Sequence, residues 1–282
     1  MAVRVVTDST AYLPESVADS GEVAVVPLTV TVSGRDGREG VDVSPADVAQ
    51  ALEERRVSVT TSRPAPAEFA ATYRRLLDEG ADGIVSVHLS SRLSGTYESA
   101  LLAAAEFDGR VAVVDSATAG MAVGFVALAA LDAARAGGDV EAVRAVALAA
   151  AGRTRTLFYV DTLEFLRRGG RISAASALLG TALSVKPILH VQHGEVVLRE
   201  KVRTSSKGLA RLADLATAEA AGSDVDIAVQ HLSVPEKAEA LRDELAGRLA
   251  GRIRRLFVSE IGAAIAAHTG PGVVGVALLR HE

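Results

Sequence analysis

The chain has 282 residues, of which 49% are hydrophobic and 23% charged, enough to bury a sizeable core in one large or two medium domains. It contains no cysteine, which excludes disulfides, thiolate catalysis and cysteine-ligated zinc. Its formal net charge of -5 argues against binding to duplex nucleic acid, because such proteins usually present a basic surface.

The first half of the chain alternates short apolar runs with helical patterns. We predict strands at Val3–Thr7, Glu22–Val32, Gly83–Leu89 and Val111–Val114. We predict helices at Pro45–Arg56, Pro66–Glu79, Tyr97–Phe107, Met121–Ala136 and Val140–Ala151. Strands that alternate with helices favour an α/β fold with a mostly parallel sheet and helices on both faces.

The second half mixes its elements differently. In chain order it predicts a strand at Thr156–Val160, a basic segment at Leu163–Arg171, a hairpin of Ile188–Gln192 and Val196–Arg199 around His193-Gly194, a helix at Ser206–Ala221, a strand at Val225–Gln230, a helix from Pro235, and apolar runs at Arg255–Val258 and Val273–Leu279. This mixture is typical of an α+β domain. Because composition shifts near Gly152, we predict one domain over residues 1–152 and a second over 153–282.

Two helix starts carry capping signals. Ser44 and Asp47 flank the first residues of the helix from Pro45, and Ser233 and Glu236 fit a capping box for the helix from Pro235. The longest uncharged run, Ser116 to Leu131, has 16 residues, which is short for a membrane span. We therefore predict no integral membrane segment, and the absence of a signal-peptide pattern at the start predicts a cytoplasmic protein.

Three of the predicted parallel strands end in polar clusters. These clusters are Thr7-Asp8-Ser9, Ser90-Ser91 and Asp115-Ser116. The carboxyl ends of parallel strands share one edge of a sheet, where ligands of open α/β sheets bind, so we expect a shared site there.

The segment Ser90–Tyr97 then enters a helix. Ser94 and Thr96 offer hydroxyl groups, Gly95 allows close approach to the backbone, and the helix start offers free N–H groups. This arrangement suits an anion such as a carboxylate or a phosphate, although an ordinary helix cap would have the same residues.

Two other polar loops are candidates for the same site. Thr60–Pro64 is hydroxyl-rich and precedes a helix, and His268 stands in a Gly/Pro loop rather than on an apolar face. By contrast, His190 and His193 would point to opposite faces of a strand, so we predict no metal site.

The second half also contains a basic stretch. Between Asp161 and Ala210, eight basic residues oppose four acidic residues in a protein that is acidic as a whole. A solvated surface of mixed charge is one reading of this excess. A docking face for an acidic partner or a phosphate is the other.

Together these segments resemble the DegV family of bacterial fatty-acid-binding proteins, which includes the binding subunits of fatty acid kinases. The similar motifs occur in family order over nearly the whole chain. They are Val6–Thr10, Thr61–Pro64, Leu89–Tyr97, Val114–Ser116, Gly169–Ser173, Lys186–Leu189, Lys201–Thr204 and His268–Gly272. The chain departs from the family pattern at Arg63 and Ala65, in the TSQP-like motif, and at Arg92, where glycine is frequent.

The resemblance implies a two-domain α/β fold with the ligand between the domains. It implies a long-chain fatty acid such as palmitate, whose carboxylate meets Thr61, Ser94 and His268. It also implies that the protein presents the acid to a separate ATP-dependent kinase, with Arg171 and Arg203 in the docking motifs and away from the head group.

We therefore expect a lipid-binding carrier, active in fatty acid metabolism or transport, with no cofactor and no covalent chemistry of its own. One alternative is a hydrolase or transferase that uses Ser94 with His268, although no nucleophile-elbow motif is present. Another is a binding module for a small phosphorylated ligand, because hydroxyl groups at a helix start also suit phosphate. The apolar helix around Met121–Leu131 is a candidate wall for an acyl tunnel, or plain core.

Overall fold

The computed structural model describes residues 2–54, 57–172 and 186–281, so Arg55, Arg56 and Ser173 of the predicted segments lie outside the described residues. Its strands are β1 (Val3–Asp8), β2 (Val23–Val26), β3 (Thr29–Val32), β4 (Arg35–Arg38), β5 (Val59–Ser62), β6 (Gly83–His88), β7 (Val111–Asp115), β8 (Thr154–Tyr159), β9 (Lys186–Gln192), β10 (Glu195–Val202), β11 (Val225–His231), β12 (Ile253–Glu260) and β13 (Val274–Arg280). Its helices are α1 (Glu15–Ala18), α2 (Pro45–Glu53), α3 (Pro66–Asp78), α4 (Thr96–Ala104), α5 (Met121–Arg135), α6 (Val140–Arg153), α7 (Glu164–Arg168), α8 (Ser205–Ala220), α9 (Pro235–Arg248) and α10 (Ala263–Thr269).

A four-stranded parallel sheet in the order β2-β1-β6-β7 is built from the first half of the chain. Adjacent residues of its strands point to opposite faces, so that Val5 packs toward α5 and α6 while Val6 packs toward α3 and α4. Both faces are therefore covered by helices, as the sequence predicted.

A second sheet of six strands has the order β10-β9-β8-β13-β11-β12, and only its β11–β12 pair is parallel. Leu157 and Tyr159 of β8 face the core beneath α8 and α9, whereas Phe158 faces the other side. The predicted hairpin is confirmed: β9 and β10 pair around His193 and Gly194, both at positive φ, as a two-residue hairpin turn requires.

A third sheet, in the order β4-β3-β5, was not predicted. The expected single strand Glu22–Val32 is instead two strands in two sheets, because Pro27 has no N–H with which to continue the first ladder. The expected hydroxyl-rich loop at Thr60–Ser62 belongs to β5, which pairs antiparallel with β3. This small sheet brings Thr61 into contact with His268 of α10.

The long helix α5 joins the two larger sheets. Its buried side chains share one core with Val5 of β1 and with Ala277 and Leu279 of β13. The predicted boundary near Gly152 falls one residue before the end of α6, which runs directly into β8. Within the described ranges, no helix combines the length and the apolar character that a membrane crossing requires.

The two predicted helix caps have opposite outcomes. The side chain of Ser44 accepts a hydrogen bond from the Asp47 N–H, and the Asp47 carboxylate accepts one from the Ser44 N–H, which completes a capping box. The box predicted at Ser233 is wrong. Ser233 adopts a left-handed backbone conformation, its N–H donates to Glu260 instead, and α9 begins after Val234 without a side-chain cap.

A buried carboxylate fixes the loops at the carboxyl edge of the parallel sheet. Asp8 accepts hydrogen bonds from the Thr10 N–H and the Leu89 N–H, each at 3.0 Å, and contacts His88 Nδ1 at 3.0 Å. Beyond it, His88 Nε2 lies 2.7 Å from the Ser86 hydroxyl, which also accepts a hydrogen bond from Tyr73. The strand-end clusters lie at one edge as expected, but their polar groups bind other parts of the protein: Ser91 donates to Asp115, Ser9 to Glu39 and Ser90 to the Gly194 carbonyl.

We predict that Asp8→Ala destabilises the fold by at least about 3 kcal/mol, because two buried N–H groups and one imidazole nitrogen lose their partner. The free energy of unfolding, measured in urea, provides the test. Asp42→Ala is the control, because Asp42 pairs with Arg38 on the exposed surface and its loss should cost less than about 1 kcal/mol. Equal effects of the two substitutions would contradict the role assigned to Asp8.

Candidate functional site

A cavity lies between the carboxyl edge of the parallel sheet and the face of the six-stranded sheet that carries Phe158. It contains about 990 Å³ of empty space, including its open mouth. Its walls are predominantly apolar, with contributions from Leu28, Leu93, Phe158, Val191, Val196 and Ile265. This position is the one expected for a ligand of an open α/β sheet.

The helix α5 is not the wall of this cavity. Ala119 and Gly120, which precede α5, line the cavity, whereas Met121 and Phe125 are each 1% exposed and belong to the protein core. The apolar run around Met121–Leu131 is therefore part of the protein core and not a wall of the cavity. The apolar lining comes instead from strands of the six-stranded sheet and from α10.

Three of the predicted site residues meet at the cavity. Thr61 on β5 and His268 on α10 share a hydrogen bond of 2.8 Å between Oγ1 and Nε2. Ser94, in the loop that enters α4, lines the same cavity and shares a hydrogen bond of 2.8 Å with the Thr96 hydroxyl. These three side chains thus form a polar group on a wall that is predominantly apolar.

Gly95 and Thr96 support this group from outside the cavity. Thr96 is fully buried, and its N–H donates to Ser94 Oγ at 3.3 Å, so this N–H is taken by the protein itself. A Cβ atom at Gly95 would lie 2.4 Å from Nη1 of Arg63, so the absence of a side chain at Gly95 lets the guanidinium pack against this loop. Both residues therefore shape the loop around Ser94.

His268 is held in its neutral form. Burial, with a smaller contribution from the nearby positive charge of Arg171, lowers the pKa of His268 from 6.5 to about 4. Between these two pH values, the unfolded chain would bind a proton that the folded protein does not, so acid disfavours the folded state through this residue. Near neutral pH the imidazole is an uncharged partner for Thr61, and the tautomer decides which of the two donates.

The two arginines of the implied docking motifs occupy different surroundings. Arg171 lines the cavity, donating from Nε to the Leu93 carbonyl at 3.1 Å and from Nη1 to the Gly169 carbonyl at 2.6 Å. Its expected separation from the head-group residues is therefore wrong. Arg203 is exposed in the turn between β10 and α8 and does not line the cavity.

A second cleft lies on the other side of the Thr61–His268 hydrogen bond. This outer cleft is lined by residues 57–61 and by Arg168, Gly169, Arg171, Ala267 and His268. Thr61, Arg171 and His268 line both the apolar cavity and the outer cleft. Thr61, Arg171 and His268 thus form a partition between the mainly apolar cavity and the outer cleft, which carries Arg168.

Glycines allow the segments around His268 to pack closely. A Cβ atom at Gly169 would lie 2.2 Å from His268 Nδ1, and one at Gly270 would lie 2.2 Å from the ring of Phe165. The Gly-Gly motif after α7 therefore leaves room for the histidine of α10, while the Gly-Pro-Gly motif leaves room for the phenylalanine of α7. His268 Nδ1, buried against Gly169, has no hydrogen-bond partner among the described residues.

Sequence reasoning missed several polar residues that line the cavity. Thr10, Thr156 and Gln230 are among them, and each already has a partner. Thr10 Oγ1 donates to Asp8, Thr156 shares a hydrogen bond with Thr118, and Gln230 Oε1 accepts from the Met121 N–H. Only Thr10 carried a sequence signal, because it closes the first motif of the chain.

The arrangement gives no support to a serine hydrolase. His268 binds Thr61 rather than Ser94, and its Nδ1 faces Gly169 instead of a carboxylate that would orient it. Asp8, His88 and Ser86 do form a chain of acid, imidazole and hydroxyl, but all three are 0% exposed, so no substrate can reach them. In the parts of the chain that the structure describes, no three acidic or histidine side chains gather as a metal site would require.

An α/β fold with a mainly apolar cavity bordered by polar side chains is an arrangement suited to an amphipathic small molecule. The family model described as "Uncharacterised protein, DegV family" matches residues 2–281, so the chain belongs to the DegV family. It is 54% identical over 275 residues to a DegV domain-containing protein of Streptomyces coelicolor, covering 97% of each chain.

Solved structures show the same fold. A DegV family protein from Thermus thermophilus, described by its fatty acid binding, superposes with a TM-score of 0.93 at 38% identity and full coverage of both chains. DegV from Bacillus subtilis, described as a fatty acid binding protein, superposes with a TM-score of 0.89 at 33% identity, again over both whole chains.

We predict that the His268 imidazole of the ligand-free protein stays neutral down to about pH 4, as its buried position implies. Arg171→Gln should raise the pKa of His268, because it removes the positive charge that opposes protonation. Arg203→Gln should leave it unchanged. NMR titration of the imidazole signals measures all three pKa values, and a pKa near 6.5 in the unmodified protein would contradict this account.

Proposed function

We propose that this protein binds one long-chain fatty acid, with its carboxylate at Thr61, Ser94 and His268 and its acyl chain in the apolar cavity. The observation that carries the proposal is the hydrogen-bonded Thr61–His268 pair, with Ser94, at one wall of a cavity that is otherwise mainly aliphatic. The relatives described as fatty acid binding proteins support the same ligand class.

The two parts of such a ligand need different surroundings. An acyl chain gains about 0.8 kcal/mol for each CH₂ group removed from water, so a long chain favours a deep aliphatic cavity. A carboxylate needs hydrogen-bond donors, which the hydroxyl groups of Thr61 and Ser94 and the neutral imidazole of His268 can supply. Because the site offers no activated nucleophile, we infer binding without covalent chemistry.

We further propose that the protein acts as a cytoplasmic carrier that presents its ligand to an ATP-dependent fatty acid kinase. The outer cleft supports this idea, because it borders the head-group residues from the surface and carries Arg168 and Arg171. Arg203 lies on an exposed turn of the basic stretch, where an acidic partner surface could contact it. A carboxylate held at Thr61 and His268 would lie close both to the apolar cavity and to a partner docked at the outer cleft.

We predict that protein purified without detergent carries about one long-chain fatty acid per chain, because an empty aliphatic cavity would expose apolar surface to water. Thr61→Ala and Ser94→Ala should each weaken binding by about 1–3 kcal/mol, since the carboxylate loses a donor. Mass spectrometry of the extracted ligand and titration of delipidated protein with palmitate provide the measurements.

Thr60→Ala is the matched control for this experiment. Thr60 is the exposed neighbour of Thr61 on β5 and does not line the cavity, so its loss should leave palmitate affinity unchanged. The proposal fails if the delipidated protein does not bind palmitate. The site assignment alone fails if Thr61→Ala and Ser94→Ala bind as tightly as Thr60→Ala.

We predict that Arg203→Ala keeps its fatty acid but lowers acyl-phosphate formation by the kinase of the same genome by about 2- to 5-fold, as expected for one exposed interface charge. The loss should shrink at high salt, because exposed charges are screened. Arg254→Ala, which removes an exposed arginine from β12 at the opposite edge of the same sheet, is the control. Equal activity of the two variants would remove Arg203 from the docking surface.

A further inference from the structure

We propose that Arg63 is a further head-group residue, which contributes a permanent positive charge at the cavity mouth. This inference rests on the proposed function, because it assumes an anionic ligand in the cavity. The inference concerns how strongly the site binds an anion and how well it distinguishes an anion from a neutral ligand. Thr61 and Ser94 offer hydroxyl groups to the ligand but no full charge. Arg63 lines the cavity together with both of these residues.

The guanidinium lies against the backbone at Gly95. Nη1, Cδ and Cζ of Arg63 occupy the space beside Gly95 that a Cβ atom would need, at 2.4, 2.8 and 3.1 Å from it. Nη1 also approaches the Gly95 carbonyl at 3.4 Å. Gly95 directly follows Ser94 in the chain, and Arg63 follows Thr61 by two residues. The charge therefore lies beside the loop that carries Ser94, and the Arg63 side chain lines the same cavity as Thr61.

The charge is available to a ligand. Arg63 is exposed, and within the described residues it forms no ion pair with an acidic side chain. A guanidinium keeps its charge at any physiological pH and can bind both oxygens of a carboxylate at once. The neutral His268 cannot balance the negative charge of a carboxylate. Among the residues that line the cavity, the cations are Arg63 and Arg171.

Arg92 provides a matched comparison in the same loop region. It is also exposed, but its guanidinium pairs with Glu195 at 2.8 Å, and it does not line the cavity. Replacing either arginine by glutamine removes one positive charge from the same side of the molecule. Only Arg63→Gln removes a charge that faces the ligand.

The test is titration of delipidated wild type, Arg63→Gln, Arg63→Lys and Arg92→Gln with palmitate at low and high salt, and with hexadecanol as a ligand without charge. We expect Arg63→Gln to lower palmitate affinity by about 3- to 30-fold at low salt, as for loss of a charge-assisted hydrogen bond near the surface. The difference in palmitate affinity between the wild type and Arg63→Gln should become smaller at high salt, because exposed charges are screened. Arg63→Lys should restore part of the affinity, Arg92→Gln should match the wild type, and all four proteins should bind hexadecanol equally.

Two results would overturn the inference while leaving fatty acid binding intact. One is equal palmitate affinity of Arg63→Gln and Arg92→Gln. The other is a parallel loss of palmitate and hexadecanol in Arg63→Gln, which would mean that the side chain acts through the shape of the mouth rather than its charge. Failure of the wild type to bind palmitate would overturn the proposed function and this inference with it.

Discussion

The hydrogen bond between Thr61 and His268 joins residues 207 positions apart and is the contact around which the site is arranged. It ties the small three-stranded sheet to α10, and α10 itself is placed by Glu39, whose buried carboxylate accepts from the Ala264 N–H at 2.8 Å. Because the imidazole is neutral, this contact carries no net charge into the apolar cavity. The neighbouring arginines supply charge from the side of the mouth.

The separation of the neutral imidazole from the charged arginines follows from the free-energy cost of burying charge. A charged imidazole on the wall of an aliphatic cavity would be poorly solvated, which is why burial lowers the pKa of His268. A guanidinium can remain partly in water while lining a cavity, as that of the exposed Arg63 does against Gly95. Under the proposed function, neutral donors at the wall and cations at the rim would bind one anionic group with little desolvation penalty.

The sequence predicted the parallel sheet and the hairpin, because each depends on a local pattern. The grouping of Thr61, Ser94 and His268 followed from the family resemblance instead, because no local pattern joins residues 207 positions apart. It did not predict the third sheet, since the pairing of β5 with β3 joins segments about 30 residues apart with no periodic signal. Arg171 was expected away from the head group, because motif membership says nothing about where a long side chain reaches. The apolar run at α5 could not be assigned to core or cavity without knowing its neighbours.

The close packing at Gly169 and Gly270 also limits how the family can change. Each glycine leaves space for a ring carried by the other segment, His268 in one direction and Phe165 in the other. A side chain gained at either position would have to be matched by a smaller residue on the opposite segment. Two stretches separated by about 100 residues are thus expected to evolve as a single unit, with substitutions accepted in pairs or not at all.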